Sequence, residues 1–344
     1  MKLQPLIWEG ESLKIIDQTV LPHRLVYRRI KELAELKEAI QNLRIRGAPL
    51  LGIASAFGVY LGIKESKVRN FKEFVEELDR VIEFLKSSRP TAVNLFWGME
   101  RVKEKVRKNS HLPVEKLKLL CREEAEKIKE EDEKICQMIG EHGATLIEDG
   151  DGILTHCNAG GLATSGYGTA LGVIYSAHHQ GKEITVYVDE TRPLLQGARL
   201  TTWELLQAGI RAVLICDNMA GEVMREGKVK KVIVGADRIA RNGDTANKIG
   251  SYSLAILSYY HNIPFYVAAP TSTIDPKIGK GSDIPIEIRK KEEITHFQGK
   301  EVAPSGVEAY NPAFDVVPSS LISGIITEKG IIYPPYEKSL VKIL

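Results

Sequence analysis

The spacing of apolar residues divides the chain into two parts. Up to about residue 148, apolar positions recur every three or four residues, which is the spacing of amphipathic helices. The first thirty residues instead hold short strand-like runs such as L-K-I-I-D-Q. This part is therefore predicted to be mostly helical, with a short antiparallel sheet in front. Helices are predicted over 32–43, 48–64, 69–87, 91–108 and 113–148, the last interrupted at G-E-H-G.

From about residue 150, short β-branched runs alternate with helical segments. Near-continuous apolar strands separated by helices are typical of a parallel sheet covered on both faces. We predict an α/β fold in which a smaller, mostly helical domain (1–125) precedes a Rossmann-like, doubly wound parallel-sheet domain (126–344). The strands are predicted at 153–157, 184–190, 212–218, 232–237, 264–270 and 324–330.

Composition narrows the classes of function. The chain has 344 residues, of which 43% are hydrophobic and 27% charged, as in globular proteins. A net charge of +2 without a long basic stretch argues against a nucleic-acid partner. The first residues do not resemble a secretory signal, and no segment resembles a membrane span. The four cysteines form no C-x-x-C, so we expect no structural metal. Because the sequence shows no secretory signal, we expect reduced thiols and a cytoplasmic location.

The predicted strands end in polar or reactive residues. Folds of this class bind ligands at the carboxyl ends of their strands, where the strand order reverses. A functional site is therefore predicted at that edge of the sheet. The endings read T-H-C-N-A-G, V-D-E-T-R-P, C-D-N-M-A, G-A-D-R-I and A-A-P-T-S-T.

Cys157 is the first candidate. Most free cysteines are small buried hydrophobes, and that interpretation suffices for Cys121 and Cys136 inside helices. Cys157 differs because a strand end followed by N-A-G-G can direct backbone amides and a helix start at the thiol. Its neighbour His156 must point to the opposite face of an extended strand, so it is predicted to be a buried partner rather than a catalytic base.

Asp237 ends the strand V-I-V-G-A-D. Aspartates are common in turns after strands, where they bind only backbone and solvent. The alternative is a general acid or base held at the sheet edge beside apolar residues. The residues alone leave both interpretations open.

Several segments are candidates for binding an anion or a sugar hydroxyl. N-G-D-T-A-N-K-I-G is predicted to cap a helix, which places Asn247 and Lys248 near a helix start that favours anions. R-I-R-G-A-P places Arg46, Gly47 and Ala48 at another helix start. Arg89 lies at a helix break, and Gln196 begins a helix after a strand and a loop. Exposed arginines and ordinary helix caps remain the alternatives.

The glycine-rich segment 166–172 raises the alternative of a dinucleotide-binding site. G-Y-G-T-A-L-G at 166–172, with Asp189 after it, partly matches the fingerprint, but its spacing is G-x-G-x-x-x-G and it begins too far after the strand. Close helix packing or a mobile active-site segment is the preferred interpretation of these glycines. Walker A, H-E-x-x-H and G-x-S-x-G motifs are absent from the sequence, so nucleotide hydrolysis, zinc hydrolysis and serine-esterase chemistry have no support.

Together these motifs resemble one family. R-G-A-P, S-R-P-T-A-V-N-L-F-W, T-H-C-N-A-G, D-E-T-R-P-L-L-Q-G-A-R-L-T, D-N-M-A, V-G-A-D-R-I, N-G-D-T-A-N-K-I-G-S and F-D-V-V-P-S-S-L-I run in order from about residue 44 to 322. They are similar to those of the methylthioribose-1-phosphate isomerases of methionine salvage. The same superfamily includes ribose-1,5-bisphosphate isomerases and regulatory subunits of translation initiation factor 2B.

The resemblance implies an aldose–ketose isomerase that interconverts 5-methylthioribose 1-phosphate and 5-methylthioribulose 1-phosphate. It implies no cofactor and no metal, a small sugar phosphate as the partner, and a homodimer. Cys157 and Asp237 correspond to the catalytic pair. The substrate-binding residues correspond to Arg46, Gly47, Ala48, Arg89, Gln196, Asn247 and Lys248. A ribose-1,5-bisphosphate isomerase and a non-catalytic, initiation-factor-like regulator remain the alternatives, and the apolar N-L-F-W segment favours the thioether sugar.

Overall fold

A computed structural model describes residues 3–89 and 92–343. These residues form two compact units. The N-terminal unit extends to Lys134 and also includes Gly161–Gly168. The C-terminal unit consists of Ile135–Gly160 and the chain from Thr169 onward. The boundary predicted at 125/126 rests on the change in apolar spacing along the chain. That spacing does not reveal that the later loop Gly161–Gly168 belongs to the first unit.

The N-terminal unit combines a small sheet with helices. Its antiparallel sheet has the strand order β1-β2-β3, formed by Leu6–Glu9, Ser12–Ile16 and Tyr27–Ile30. The helices are α1 (Leu33–Gln41), α2 (Ala48–Ile63), α3 (Phe71–Lys86), α4 (Val93–Lys108) and α5 (Val114–Ala144), the last of which continues into the C-terminal unit. The strand-like segments and the helices therefore lie close to their predicted positions.

Helix α2 is the centre of the N-terminal core. Its sequence, A-P-L-L-G-I-A-S-A-F-G-V-Y-L-G-I, is apolar on all sides, and almost every residue is buried, as expected for a helix enclosed by other elements. It packs closely on α4 through Gly98, where an added Cβ would lie 2.1 Å from the Gly52 carbonyl oxygen. Glycine at this position allows the two backbones to approach each other.

Helix α5 is continuous through the G-E-H-G segment, so the predicted interruption is wrong. An added Cβ at Gly143 would lie 2.3 Å from a methyl carbon of Val173. The glycine therefore serves close packing within the C-terminal unit rather than a break in the helix. Cys121 and Cys136 on this helix are buried, in agreement with their interpretation as core residues.

The C-terminal unit is built on a seven-stranded sheet with the order β16-β15-β10-β7-β4-β5-β6. Its neighbouring strands are parallel except for the β15–β16 pair. The predicted strand at 324–330 is in fact two strands that form an antiparallel hairpin. The strands are β4 (Gly152–Thr155), β5 (Thr185–Asp189), β6 (Arg211–Ile215), β7 (Lys231–Val234), β10 (Phe265–Ala268), β15 (Gly324–Thr327) and β16 (Gly330–Ile332).

Both faces of this sheet are buried. Leu154 and Val232 belong to the hydrophobic cluster on one face, whereas Ile153 and Ile233 belong to the cluster on the other, as the alternation of side chains along a strand requires. The predicted doubly wound α/β fold is therefore confirmed. The helices of this unit are α6 (Ala170–His179), α7 (Thr202–Gln207), α8 (Ala220–Arg225), α9 (Ser251–Tyr260), α10 (Glu292–Thr295) and α11 (Tyr336–Ser339).

Further strands pair outside the main sheet, and the sequence analysis did not predict them. A four-stranded sheet has the order β11-β8-β9-β14, formed by Ile274–Asp275, Arg238–Ala240, Thr245–Lys248 and Phe314–Val317. A hairpin joins β12 (His296–Phe297) to β13 (Lys300–Glu301). Among the described residues, no helix is both long and apolar enough to cross a membrane.

Candidate active site

Cys157 and Asp237 follow adjacent strands at the point where the strand order reverses. The chain runs from β4 outward to β5 and β6, and it then returns to place β7 on the other side of β4. Cys157 lies two residues after β4, and Asp237 lies three residues after β7. Parallel strands end at the same edge of a sheet, so both residues lie at the crevice where this fold class binds ligands.

The backbone at Cys157 is held in a conformation that is unusual for a non-glycine residue. Its φ is 63°, in the left-handed region that costs energy for residues with a Cβ. Two threonines hold the turn: the Cys157 amide donates to Thr191 Oγ1 at 2.8 Å, and Thr201 Oγ1 donates to the Cys157 carbonyl at 2.6 Å. The half-buried thiol is thereby carried on a fixed turn.

The residues after Cys157 are fixed by a buried carboxylate. Asn158 Nδ2 donates to Glu204 Oε1 at 2.8 Å and to Thr201 Oγ1 at 3.1 Å. An added Cβ at Gly160 would lie 2.6 Å from both Glu204 carboxylate oxygens. Glycine at position 160 therefore allows the loop to pass directly over this side chain.

Asp237 is half-buried and begins a close connection to strand β9. Its amide donates to the Ala246 carbonyl at 2.9 Å. Between β7 and Asp237, an added Cβ at Gly235 would lie 2.8 Å from Cβ of Ala159. The absence of a side chain at Gly235 lets the loop after β7 approach the loop that follows Cys157.

Asn247 and Lys248 lie on a strand, not at the start of a helix. The T-A-N-K segment forms β9, which pairs with β8 and β14, so its polar residues do not cap a helix. The predicted helix does begin nearby, because α9 starts three residues after Lys248. Asn247 is buried and donates to Ser251 Oγ at 2.8 Å. The Lys248 ammonium donates to the Ala313 carbonyl at 2.9 Å and lies 4.6 Å from the Phe314 ring centroid.

The start of α9 is occupied by a carboxylate of the protein itself. Gly250, the residue that precedes α9, donates its amide to Asp315 Oδ2 at 2.7 Å. Burial raises the pKa of Asp315, and the backbone amides of Gly250 and Tyr252 oppose that effect. The proposed reason for a lysine near this helix start, a bound anion on the helix amides, is therefore replaced by this intramolecular cap.

Gln196 lies in the loop between β5 and α7. Its side chain is 6% exposed, and within the described part of the chain its Oε1 has no hydrogen-bond partner. A buried amide oxygen without a partner in the protein is costly, which is the property expected of a group that binds a ligand. Gln196 immediately precedes a short π-helix, Gly197–Thr201, which continues into α7. Such bulges are frequent at functional sites.

The D-E-T-R-P loop that leads to Gln196 is anchored by Asp217. Its two carboxylate oxygens accept the amides of Thr191 and Arg192, each at 2.7 Å. Thr191 and Leu195 both have positive φ, at 63° and 56°. The sequence analysis did not single out Thr191, Thr201, Glu204, Asp217 or Asp315 as candidate residues. Some were visible only as letters of family motifs, because their partners are distant in sequence.

His156 is buried and bound to Asp189, as predicted for a buried partner residue. Its Nδ1 lies 2.8 Å from Asp189 Oδ2, and its Nε2 lies 2.8 Å from the Ile249 carbonyl oxygen. One ligand atom each of His156, Asp189 and Asp217 lies within 4.8 Å of the others, a spacing that a metal ion could bridge. Both ring nitrogens already face oxygen acceptors, and both Asp217 oxygens accept amides, so these contacts account for the cluster as an ion pair with hydrogen bonds.

Four predicted residues belong to the N-terminal unit. Gly47 precedes α2 with a φ of 100°, and an added Cβ would lie 2.5 Å from Cα of Ala163. Arg46 is buried, and Ala48 is the first residue of α2. Arg89 is half-buried after α3 and accepts the Ala92 amide on its carbonyl, while Pro90 and Thr91 of its motif lie outside the described residues. The other five predicted residues belong to the C-terminal unit: Cys157, Gln196 and Asp237 follow strands of the seven-stranded sheet, and Asn247 and Lys248 lie on β9.

Comparisons with known proteins identify the family. Residues 44–334 match the model of the initiation factor 2 subunit family, IF-2B. The chain belongs to this family. It is 55% identical to methylthioribose-1-phosphate isomerase 1 of Pseudothermotoga lettingae over 336 residues, which is 98% of this chain and 96% of the relative. The predicted resemblance is thus confirmed.

Two further relatives bear on the site. A 5-deoxyribose 1-phosphate isomerase of Moorella thermoacetica is 53% identical over 342 residues, covering 99% of this chain and 97% of that relative. The crystal structure of 5-methylthioribose 1-phosphate isomerase from Pyrococcus horikoshii OT3 is 44% identical with a TM-score of 0.93, covering 100% of this chain and 96% of that one. The chain thus matches sugar-phosphate isomerases of the family over nearly their whole length.

Proposed function

We propose that this protein is an aldose–ketose isomerase that interconverts 5-methylthioribose 1-phosphate and 5-methylthioribulose 1-phosphate. The observation that carries the proposal is the position of Cys157 and Asp237 at the ends of neighbouring strands β4 and β7, on the two sides of the switch point. The extensive similarity to methylthioribose-1-phosphate isomerases supports the same reaction. A purely regulatory relative would not require a thiol and a carboxyl group together at this crevice.

The substrate requires an acid at its ring oxygen. Because the anomeric oxygen carries phosphate, the sugar cannot open through a free hydroxyl group. In the proposed mechanism, protonated Asp237 donates its proton to the ring oxygen while the bond from that oxygen to C1 breaks. The ring oxygen becomes a hydroxyl group, and positive charge develops at C1. The Asp237 carboxylate is left to accept a proton later in the cycle.

A hydrogen must then move from C2 to C1, by one of two routes. In the first, Cys157 as thiolate removes the C2 proton to form an enediol-like intermediate and returns the proton to C1. In the second, hydride passes directly from C2 to C1, and Cys157 stabilises the cationic intermediate. In both routes, loss of the proton from the C2 hydroxyl yields the ketone. Solvent deuterium at C1 of the product distinguishes the proton route from the hydride route.

The remaining predicted residues are proposed to bind the substrate. The Oε1 of Gln196, which lacks a partner among the described residues, can accept a hydrogen bond that a sugar hydroxyl donates. Asn247 and Lys248 are proposed to supply an amide and a cation. They follow Ala246 on β9, and the carbonyl of Ala246 accepts the Asp237 amide. Arg46, Gly47, Ala48 and Arg89 are proposed to contribute through a guanidinium group and the amides at the start of α2. No metal or cofactor is required by this mechanism.

A homodimer in the cytoplasm is part of the same proposal. Helix α9 carries Tyr252, Ile256 and Tyr259 on one side, with exposed fractions of 42%, 44% and 71%. This apolar stripe is the surface proposed for the second copy. The four cysteines, all within the described residues, form no disulfide bond, which is compatible with a reducing compartment. Light scattering of Ile256→Glu should show monomers, whereas the control Leu119→Glu, on exposed α5 surface, should retain the dimer.

The test of the reaction is a comparison of three sugars in the presence of EDTA. Purified protein is expected to isomerise methylthioribose 1-phosphate and to act on 5-deoxyribose 1-phosphate, since both carry an uncharged group at C5. The second activity is proposed because the relative from Moorella thermoacetica is a 5-deoxyribose 1-phosphate isomerase. Preference for ribose 1,5-bisphosphate would replace the proposal with the bisphosphate isomerase, and inertness on all three sugars would favour a regulatory protein.

A further inference from the structure

His156 lies among three carboxylates that the proposed reaction does not use. Asp189 binds its Nδ1, while Asp217 and Asp315 act on it through their charge. His156 and Asp189 are almost fully buried, with exposed fractions of 2% and 1%. Within the described residues, one oxygen of Asp189 and one of Asp315 have no hydrogen-bond partner. Asp189, Asp217 and Asp315, which belong to separate motifs of the sequence, therefore surround one imidazole ring.

The contacts of this ring identify its charge state. A neutral imidazole has one donor and one acceptor nitrogen, whereas an imidazolium has two donors. Nε2 faces a backbone carbonyl, which can only accept, and Nδ1 faces the Asp189 carboxylate, each at 2.8 Å. With Asp189 ionised, both nitrogens donate, and His156 is an imidazolium paired with that carboxylate; burial also raises the pKa of Asp189.

The two hydrogen bonds lead to the two halves of the candidate site. Through Asp189, the ring reaches Thr191, whose Oγ1 donates to the Asp189 carbonyl and accepts the Cys157 amide. Through the Ile249 carbonyl, it reaches the turn between Lys248 and α9, and an added Cβ at Gly250 would lie 2.8 Å from the ring. Asp315 holds the same turn through the Gly250 amide.

We propose that His156 is a positioning residue that fixes the Cys157 turn relative to the Asn247–Lys248 segment. The imidazolium acts as a two-ended donor that bridges Asp189 at the end of β5 and the turn after β9. It therefore sets the distance between the proposed catalytic thiol and the proposed substrate-binding amide and ammonium groups. This role rests on the proposed isomerase function, but the hydrogen bonds that it predicts can be tested without substrate.

His156→Gln is the first test, since glutamine cannot supply a charged donor to both sides. At matched folded fraction by circular dichroism, we expect a loss of about 10²-fold in kcat, because small misplacements of reacting groups are costly. We expect KM to rise about tenfold, as for the loss of one good contact. A merely structural role would lower kcat in proportion to the folded fraction and leave KM unchanged, and that result would overturn the proposal.

Hydrogen exchange of the substrate-free protein separates this inference from the proposed function. In His156→Gln, peptides that contain Cys157 and Gly250 should exchange faster, while those from β10 should not change. Faster exchange would support the positioning role even if wild type proved inactive on methylthioribose 1-phosphate, an outcome that would overturn the proposed function alone. Unchanged exchange in both peptides would refute the positioning role.

Two further variants guard against misfolding and non-specific effects. Asp189→Asn keeps the shape and an acceptor oxygen but removes the counter-charge, so the same changes in KM and exchange should appear at smaller size. His142→Gln is the matched control: its Nδ1 contacts the Thr327 carbonyl at 2.9 Å at the end of β15, three strands from β4. If His142→Gln changed KM as much as His156→Gln, the effect would not be specific to this ring.

Discussion

The core around α2 and the carboxyl edge of the seven-stranded sheet differ in what they bury. Around α2, the buried side chains are almost all apolar, and glycines permit close helix packing. At the sheet edge, the chain buries His156, Asp189 and Glu204, and it holds Cys157 at positive φ. Burial of apolar side chains stabilises the folded state. Buried charges and strained backbone reduce its stability unless hydrogen bonds and counter-charges compensate for them. The difference separates the part that stabilises the fold from the part suited to chemistry.

The largest expected loss of stability comes from the helical core. Phe74 on α3 is fully buried, and Phe74→Ala should reduce the free energy of unfolding by about 3–5 kcal/mol because it removes a ring and leaves a cavity. Phe84→Ala on the same helix, where the ring is 40% exposed, is the control and should cost far less. Urea unfolding measures both. If kcat per folded molecule of Phe74→Ala fell sharply, the separation of stability from chemistry would be wrong.

Removing one hydroxyl group at the sheet edge should affect both properties. Thr191→Val keeps the shape but deprives the Cys157 amide of its acceptor, at a cost of about 1–3 kcal/mol. Turnover should fall as well, because the thiol-bearing turn loses a restraint. Thr191→Ser retains the hydroxyl group and should preserve activity. Wild-type kcat in Thr191→Val would mean that the turn is held without this bond.

The His156 ion pair predicts a pH-dependent stability difference. Burial disfavours the charged ring, but the hydrogen bond and charge of Asp189 outweigh it, so the pKa of His156 is raised above its ordinary 6.5. The folded state therefore binds this proton more tightly than the unfolded state. The stabilisation is fully present below about pH 6.5 and is lost as the pH rises through the raised folded-state pKa.

Unfolding free energies of wild type and His156→Gln, measured from about pH 5.5 to about pH 9, test this sign. The advantage of wild type should be largest at the acidic end and should shrink with rising pH. Asp189, Asp217 and Asp315 are the carboxylates that act on the ring. An advantage that grew with pH would contradict the assignment of His156 as an imidazolium.

A helix cap in the N-terminal unit gives the smallest expected effect. Asn70 accepts the Glu73 amide at 2.9 Å at the start of α3. Asn70→Ala should cost about 1 kcal/mol of stability, and Asn70→Ser should restore most of it. Neither variant should change KM or kcat. A change in KM would show that the helical core and the proposed chemistry are coupled more closely than the two units suggest.

Local patterns were sufficient to predict most of the fold and to select Cys157 and Asp237 as candidate site residues. The strand predicted at 153–157 and its polar ending singled out Cys157, and His156 beside it is buried, as predicted. Asp237 followed from the same rule for strand ends. Helices with strong apolar periodicity were also predicted close to their observed bounds.

Pairings between distant residues could not be predicted in this way. Asn247 pairs with Asp315 across β9 and β14, and Asp315 also binds the Gly250 amide. Because the T-A-N-K segment is short and polar, its local pattern resembles a helix cap, and it becomes a strand only through its pairing with β8 and with the distant β14. The same limit applies to Thr191 and Thr201, whose hydroxyl groups matter only once the loop after β5 folds back on Cys157.

The most direct test of the central claim is the turnover of methylthioribose 1-phosphate by Cys157→Ser and Asp237→Asn beside wild type. With folding intact by circular dichroism, kcat should fall at least about 10²-fold in each variant, as expected for the loss of an acid, a base or an intermediate-stabilising group. Cys136→Ser, a buried thiol on α5, is the control and should retain turnover per folded molecule. Wild-type kcat in either folded site variant would contradict the assignment of Cys157 and Asp237 as the catalytic pair.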